Sequence, residues 1–210
     1  MNDTDYSHLQ EITPMIVQIM AEEDLKAEEL DAVAVSRGPG SFTGIRIGMA
    51  TAKGFAQIWN KPVICVPTLD SFAWRKDLQR GTIVVPVFDA RREQVYAAAY
   101  LINASDEPEN LINGGAYDIE NFQGMLSAAE KDAKYKLAGS DIKDINICCF
   151  GDGCHLIGHE AQGAQEALQV LALAEKMYDE GRLDTAFSAE PEYMRLAEAE
   201  RKLKEKENKL

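Results

Sequence analysis

The chain has 210 residues, 46% of them hydrophobic, enough to bury a core in one large domain or two small ones. No apolar run approaches the roughly 20 residues of a membrane span, and the polar opening Met1-Asn2-Asp3-Thr4-Asp5 lacks the basic and apolar regions of a signal peptide, so the sequence reads as cytoplasmic with no membrane partner. A formal net charge of −13, from 35 acidic and 22 basic residues, argues against tight RNA binding by this chain alone, since such binding rests on Lys and Arg neutralising phosphates, and it favours a basic partner.

Leu9, Ile12, Ile16, Ile19 and Met20 fall at the spacing that lines one face of a helix, predicted over residues 7–23. Met15 and Val17 widen that apolar surface, which suits either plain core packing or a core on one side and a partner on the other. Residues 31–36 read as a short strand, followed by the glycine-rich Arg37-Gly-Pro-Gly-Ser-Phe-Thr-Gly-Ile-Arg-Ile-Gly48 and a helical pattern through Trp59. Residues 62–67 form the next strand, Thr68 is placed to cap a helix through about Leu78, and residues 82–88 form a buried strand. This alternation argues for an α/β fold.

After Asp89-Ala-Arg-Arg-Glu-Gln94 comes a further strand over residues 95–101, then a polar loop containing Asn103, Ser105, Asp106, Glu107 and Pro108. A second unit follows, with a strand over residues 145–150, the turn Gly151-Asp152-Gly153, and a helix from about Ala164 to Glu180 that stops near Gly181. The expected boundary lies within residues 89–105, dividing the chain into an N-terminal subdomain (1–98), a smaller second one (99–190) and a charged C-terminal helix (191–210). Charges of alternating sign mark that tail as a solvated helix rather than a tRNA-binding arm.

The four cysteines, Cys65, Cys148, Cys149 and Cys154, sit in or beside apolar runs, as reduced core thiols do, and no disulfide framework is expected. A zinc site from Cys148, Cys149, Cys154, His155 and His159 is the alternative. Against it, Cys148 and Cys149 point to opposite faces of a strand, so no metal is expected.

The glycine loop carries two readings. Backbone N–H groups of Gly38, Gly40 and Gly44 at a helix start, with Ser41 and Thr43, could present an anion site flanked by Arg37 and Arg46. Yet no Lys stands where a Walker loop needs one, and the spacing is one residue off the dinucleotide fingerprint. Alternatively the loop is structural: Gly38 and Gly40 permit a tight turn, Ser41 or Thr43 caps the helix, and Gly48, Ala52 and Ala56 let another helix approach closely.

Residues 36–48, Ser-Arg-Gly-Pro-Gly-Ser-Phe-Thr-Gly-Ile-Arg-Ile-Gly, closely resemble the signature of the TsaB (YeaZ) family. The resemblance extends through His8-Leu-Gln-Glu-Ile-Thr-Pro14, Asp89-Ala-Arg-Arg-Glu-Gln-Val-Tyr96, Gly151-Asp-Gly153 and Pro191-Glu-Tyr-Met-Arg195, in family order over nearly the whole chain. It implies an actin-like ATPase fold, the sugar kinase, Hsp70 and actin class, with two RNase H-like subdomains. It also implies a non-catalytic scaffold that pairs with the catalytic paralogue TsaD and the ATPase TsaE to place threonylcarbamoyl on adenosine 37 of tRNA. Under this reading the chain has no catalytic residues or cofactor of its own, meets tRNA only through the complex, and homodimerises or joins TsaD through its first two helices, here Leu9, Ile12, Ile16, Met20, Gly48, Ala52 and Ala56. ATP or ADP at the joint with TsaD is a further expectation, using Arg37, Ser41, Thr43 or Arg46.

The sequence departs from the family in two respects. The family's opening strands do not precede the first helix, which suggests a misassigned start or a fragment, and the metal-binding histidine pair of the catalytic paralogue is reduced to His8. The rival reading is a stand-alone ATP-dependent phosphotransferase, with the glycine loop on phosphate and Asp89 on magnesium.

Overall fold

The computed structural model describes residues 4–103, 107–138, 140, 144–163 and 167–194, with side chains from residue 11 onward. Helix α1 (Thr4–Glu22) leads to strand β1 (Val33–Gly38), the glycine loop, helix α2 (Phe42–Trp59) and strand β2 (Val63–Pro67). A single turn of helix, α3 (Thr68–Ser71), precedes β3 (Thr82–Arg91), β4 (Gln94–Leu101), β5 (Glu109–Asp118) and α4 (Ile119–Leu137). Strand β6 (Asn146–Phe150) and helix α5 (Ala167–Asp179) complete the order.

Two sheets result. β1 and β2 pair in parallel, and a four-stranded sheet runs β5-β4-β3-β6, antiparallel except where β3 lies parallel to β6. β2 is buried on both faces: Val63 and Cys65 pack with Met49 and Ala56 of α2, whereas Ile64 and Val66 meet Leu173, Ala174 and Met177 of α5. β3 repeats the device, with Ile83, Val85 and Val87 facing Phe122 and Leu126 of α4 and Val84 facing Phe72, Cys148 and Phe150. Continuous apolar runs are what a strand covered on both sides requires.

Several sequence expectations change here. Both strands of the β3–β4 hairpin belong to the second sheet, so the boundary falls before Thr82 and not within residues 89–105. α5 then returns to cover the first sheet, and Val63 exchanges backbone hydrogen bonds of 2.8 Å with Asp184 beyond it. The divisions 1–98 and 99–190 are therefore replaced by two interleaved layers. The helix expected from Thr68 to about Leu78 stops after one turn, where the Ser71 hydroxyl donates to the Thr68 carbonyl at 2.8 Å and competes with helical bonding. A 3-10 turn, Phe72–Trp74, follows instead. Tyr193 and Met194 are not helical, and the rest of the predicted charged tail lies outside the described residues, as do residues 164–166 of the predicted last helix. β5 and α4 fill residues 109–137, for which the sequence pattern predicts no element.

Phe72 is the wedge between the sheets, fully buried and 5.7–5.8 Å from the rings of Phe150 and Phe88. Replacing it (Phe72→Ala) should cost about 3–5 kcal/mol by denaturant titration, as buried aromatic truncations do. Tyr135→Ala, at a side chain 83% exposed, should stay within about 0.5 kcal/mol of wild type.

Candidate functional site

The glycine loop lies where β1 stops and α2 starts. Gly38, at φ +122°, precedes Pro39 through a cis peptide. Any side chain at Gly38 would place its Cβ 2.6 Å from the carbonyl oxygen of Glu192, whereas one at Gly40 would meet only the side chain of Ile45, at 3.5 Å or more. Ser41 is the helix cap, its hydroxyl accepting from the Gly44 N–H at 3.3 Å, while Thr43 stands exposed in the first turn.

The arginines of the loop are already engaged by the chain's own C-terminal segment. The Glu192 N–H donates to the Arg37 carbonyl at 2.8 Å, and the Glu192 carboxylate forms an ion pair with Arg37 Nε at 3.1 Å, out of line for a hydrogen bond. Arg46 Nε donates to the Tyr193 hydroxyl at 2.9 Å while its guanidinium lies 3.9 Å from the Phe42 ring centre. Phe42 and Tyr193 close the cluster at 5.5 Å. Upstream, Lys53 donates to the Ala189 carbonyl at 2.9 Å, and downstream Met194 packs with Leu69, Ala73, Ala98 and Tyr100 between the sheets. Residues 189–194 are thus a strap across the loop. The sequence carried its signal as the Pro-Glu-Tyr-Met-Arg landmark, to which no role had been given.

The predicted interface residues divide. Ala52 and Ala56 are 6% and 1% exposed and belong to the chain's own core, and a Cβ on Gly48 would meet Val35 of β1 at 3.7 Å. That small-residue stripe lets α2 approach its own sheet, which corrects the expectation that it faces a partner helix. In α1 the side chains of Ile12, Ile16 and Met20 are half-buried, Met15, Val17 and Ile19 are 56%, 57% and 54% exposed, and none joins a core cluster among the described residues. The side chains of His8 and Leu9 lie outside the described residues.

Asp89 sits at the β3–β4 turn, where Arg91, Arg92 and Glu93 all have positive φ. Its carboxylate accepts from the Arg91 N–H at 2.7 Å and from Arg91 Nη1 at 2.8 Å, and its own N–H donates to Asp152 Oδ1 at 3.1 Å. Both carboxylate oxygens thus hold the turn, and magnesium there would compete with the exposed Arg91 guanidinium. Cys149 and Cys154 face each other with Cα atoms 5.9 Å apart, a spacing that admits a disulfide and that the expectation of separate core thiols did not include. Cys65 stays a thiol, pushed up to about 11 first by burial and then by the Asp184 carboxylate. The Tyr100 hydroxyl donates to Asp70 at 2.6 Å, and burial, reinforced by that carboxylate, drives its ionisation far above the ordinary range. Cavities of about 310 and 350 Å³ lie away from the loop, both lined by Trp74, Arg75 and Lys76.

The two loop glycines give a discriminating test. Gly38→Ala should destabilise by about 2 kcal/mol or more and speed amide exchange across residues 190–194, because it strains φ and pushes the strap away. Gly40→Ala should cost less than about 1 kcal/mol in the same measurements.

The family model described as "TsaD: tRNA N6-adenosine threonylcarbamoyltransferase" matches residues 2–167. The chain is 30% identical over 209 residues to the tRNA threonylcarbamoyladenosine biosynthesis protein TsaB of Escherichia coli, covering 95% of this chain and 86% of that one. It is 29% identical to the protein of the same name from Bacillus subtilis, over 93% and 83% of the two chains. Among solved structures, YeaZ from Pseudomonas aeruginosa superposes with a TM-score of 0.64 at 23% identity, over 89% of this chain and 84% of that one, which shows the fold, the actin-like ATPase class. These matches agree with the signature at residues 36–48, and the chain belongs to the TsaB (YeaZ) family of tRNA threonylcarbamoyladenosine biosynthesis proteins.

Proposed function

We propose that this chain is the non-catalytic scaffold subunit of tRNA N6-threonylcarbamoyladenosine synthesis, which binds the catalytic paralogue TsaD, works with the ATPase TsaE, and activates the transfer. The observation that carries this reading is α1, a helix whose broad apolar surface, with Met15, Val17 and Ile19 exposed, joins no core cluster among the described residues. Such a surface is costly in water and suits a helix-on-helix joint. The loop is in keeping with the same reading, because its two arginines already contact Glu192 and Tyr193. Any ATP or ADP would bind at the joint with TsaD, and tRNA would be held by the assembled complex, in keeping with the net charge of −13.

The test is co-purification with TsaD from the same organism, followed by a threonylcarbamoylation assay with TsaE, threonylcarbamoyl-adenylate, ATP and tRNA. A stable complex, and activity that depends on this chain, are expected. Magnesium-dependent ATP hydrolysis by the isolated chain would point instead to a stand-alone phosphotransferase. Within the complex, Ile16→Glu and Ile19→Glu should each weaken association with TsaD by about 30-fold or more, as for hot-spot residues, while leaving the thermal unfolding of the isolated chain in place. Wild-type affinity in both variants would move the joint elsewhere. Ala52→Glu should fail differently, by burying a charge and unfolding the body.

A further inference from the structure

We propose that Cys149 and Cys154 form a reversible dithiol–disulfide site that clasps the turn Gly151-Asp152-Gly153 beneath the end of β3. Strand alternation selects this pair from the four cysteines. Cys149 faces the cluster containing Val85, Ile157 and Cys154, whereas its neighbour Cys148 faces the opposite side of the sheet with Phe72, Val84 and Phe150. Cys65 is in a third cluster, against Met49 and Ala56. A Cα separation of 5.9 Å lets the pair bridge without backbone movement. The other two cysteines are free and buried, and in a reducing compartment a single bridge of this kind is transient and redox-responsive.

The bridge spans a sequence separation of 5 and encloses the turn. That turn lies directly on β3: the Gly153 N–H donates to the Val87 carbonyl at 3.0 Å, the Asp152 carboxylate accepts from the Asp89 N–H at 3.1 Å, and a Cβ on Gly153 would stand 2.8 Å from the Phe88 carbonyl carbon. Closing the bridge therefore fixes the hairpin base that carries Asp89.

Both sulfurs belong to residues 1% exposed, so exchange requires a local opening. Cys154 is on the 3-10 turn Cys154–Ile157 beside the exposed His155 and can swing out without breaking the sheet, whereas Cys149 pairs with Val85 inside it. Cys154 is accordingly the first sulfur to react. Its thiolate attacks a low-molecular-weight disulfide such as oxidised glutathione, forming a mixed disulfide and releasing one glutathione thiol. Cys149 then attacks the Cys154 sulfur and expels the second. The protein loses two electrons and two protons, and one glutathione disulfide becomes two thiols. Cys65 and Cys148 stand in clusters of their own, apart from the pair, and are free thiols.

The test equilibrates the full chain in glutathione buffers from reducing to oxidising, quenches in acid, alkylates and maps peptides by mass spectrometry. A peptide linked through Cys149 and Cys154, lighter by two hydrogens, should appear in the oxidising buffers with Cys65 and Cys148 alkylated, and Cys154→Ala should abolish it while Cys148→Ala leaves it. Amide exchange at Asp89 and Gly153 should run about tenfold faster in the reduced protein. The proposal is overturned if no linked peptide forms in the most oxidising buffer, if Cys148 enters the linkage, or if exchange at these two amides is the same in both forms.

Discussion

The constraint on which the molecule depends is that β2 must be covered on both faces. Val63, Ile64, Cys65 and Val66 leave no side of the strand for water, and α2 can cover only one of them. The other is covered by α5, which reaches the strand after the chain has built the whole second sheet. Once α5 is in place, the chain that leaves it has only the rim of the first sheet to follow. It pairs with Val63 through Asp184, passes Lys53, and crosses the glycine loop at Arg37 and Arg46. The strap is thus a consequence of burying one strand, and the loop's occupied arginines are a consequence of the strap.

α1 stands outside that logic. Every other long helix has an apolar face matched by a sheet, whereas α1 carries Met15, Val17 and Ile19 into solvent. The contrast with the stripe Gly48, Ala52 and Ala56 is instructive. Small residues on α2 allow close approach, and the chain uses that closeness for its own β1 and β2. Large residues on α1 supply area that no core cluster of the described residues covers. The first kind of surface is closed within the chain, whereas the second is open to solvent.

Local features were legible in the sequence because their causes are local. The strand, glycine loop and helix at residues 33–59 follow from apolar alternation, a turn that demands glycine, and a hydroxyl cap, and the structure has them nearly as written. The doubly buried strands at residues 63–67 and 82–91 were legible as unbroken apolar runs. The layering was not, since membership of a sheet is decided by pairing between distant segments, and nothing in residues 82–101 announces which strands they will join. Orientation failed for a related reason. A stripe of Gly and Ala has the same period whether it faces a partner or the chain's own sheet. For the cysteines, the reading stopped at the Cys148–Cys149 neighbours, whereas the pairing depends on the turn that folds Cys154 back onto β6.

The strap also sets an order on folding. Arg46 waits for Tyr193, 147 residues later, and Lys53 for Ala189, 136 residues later. During synthesis the second sheet, whose strands and α4 lie close together along the chain, can close while the first still has one bare face. Ile64 and Val66 remain uncovered until α5 has emerged, so the first sheet is the last to form and the longest exposed to other chains. Strands β1 and β2 are therefore completed by residues 184–194, and a chain released before residue 194 leaves those two strands unfinished.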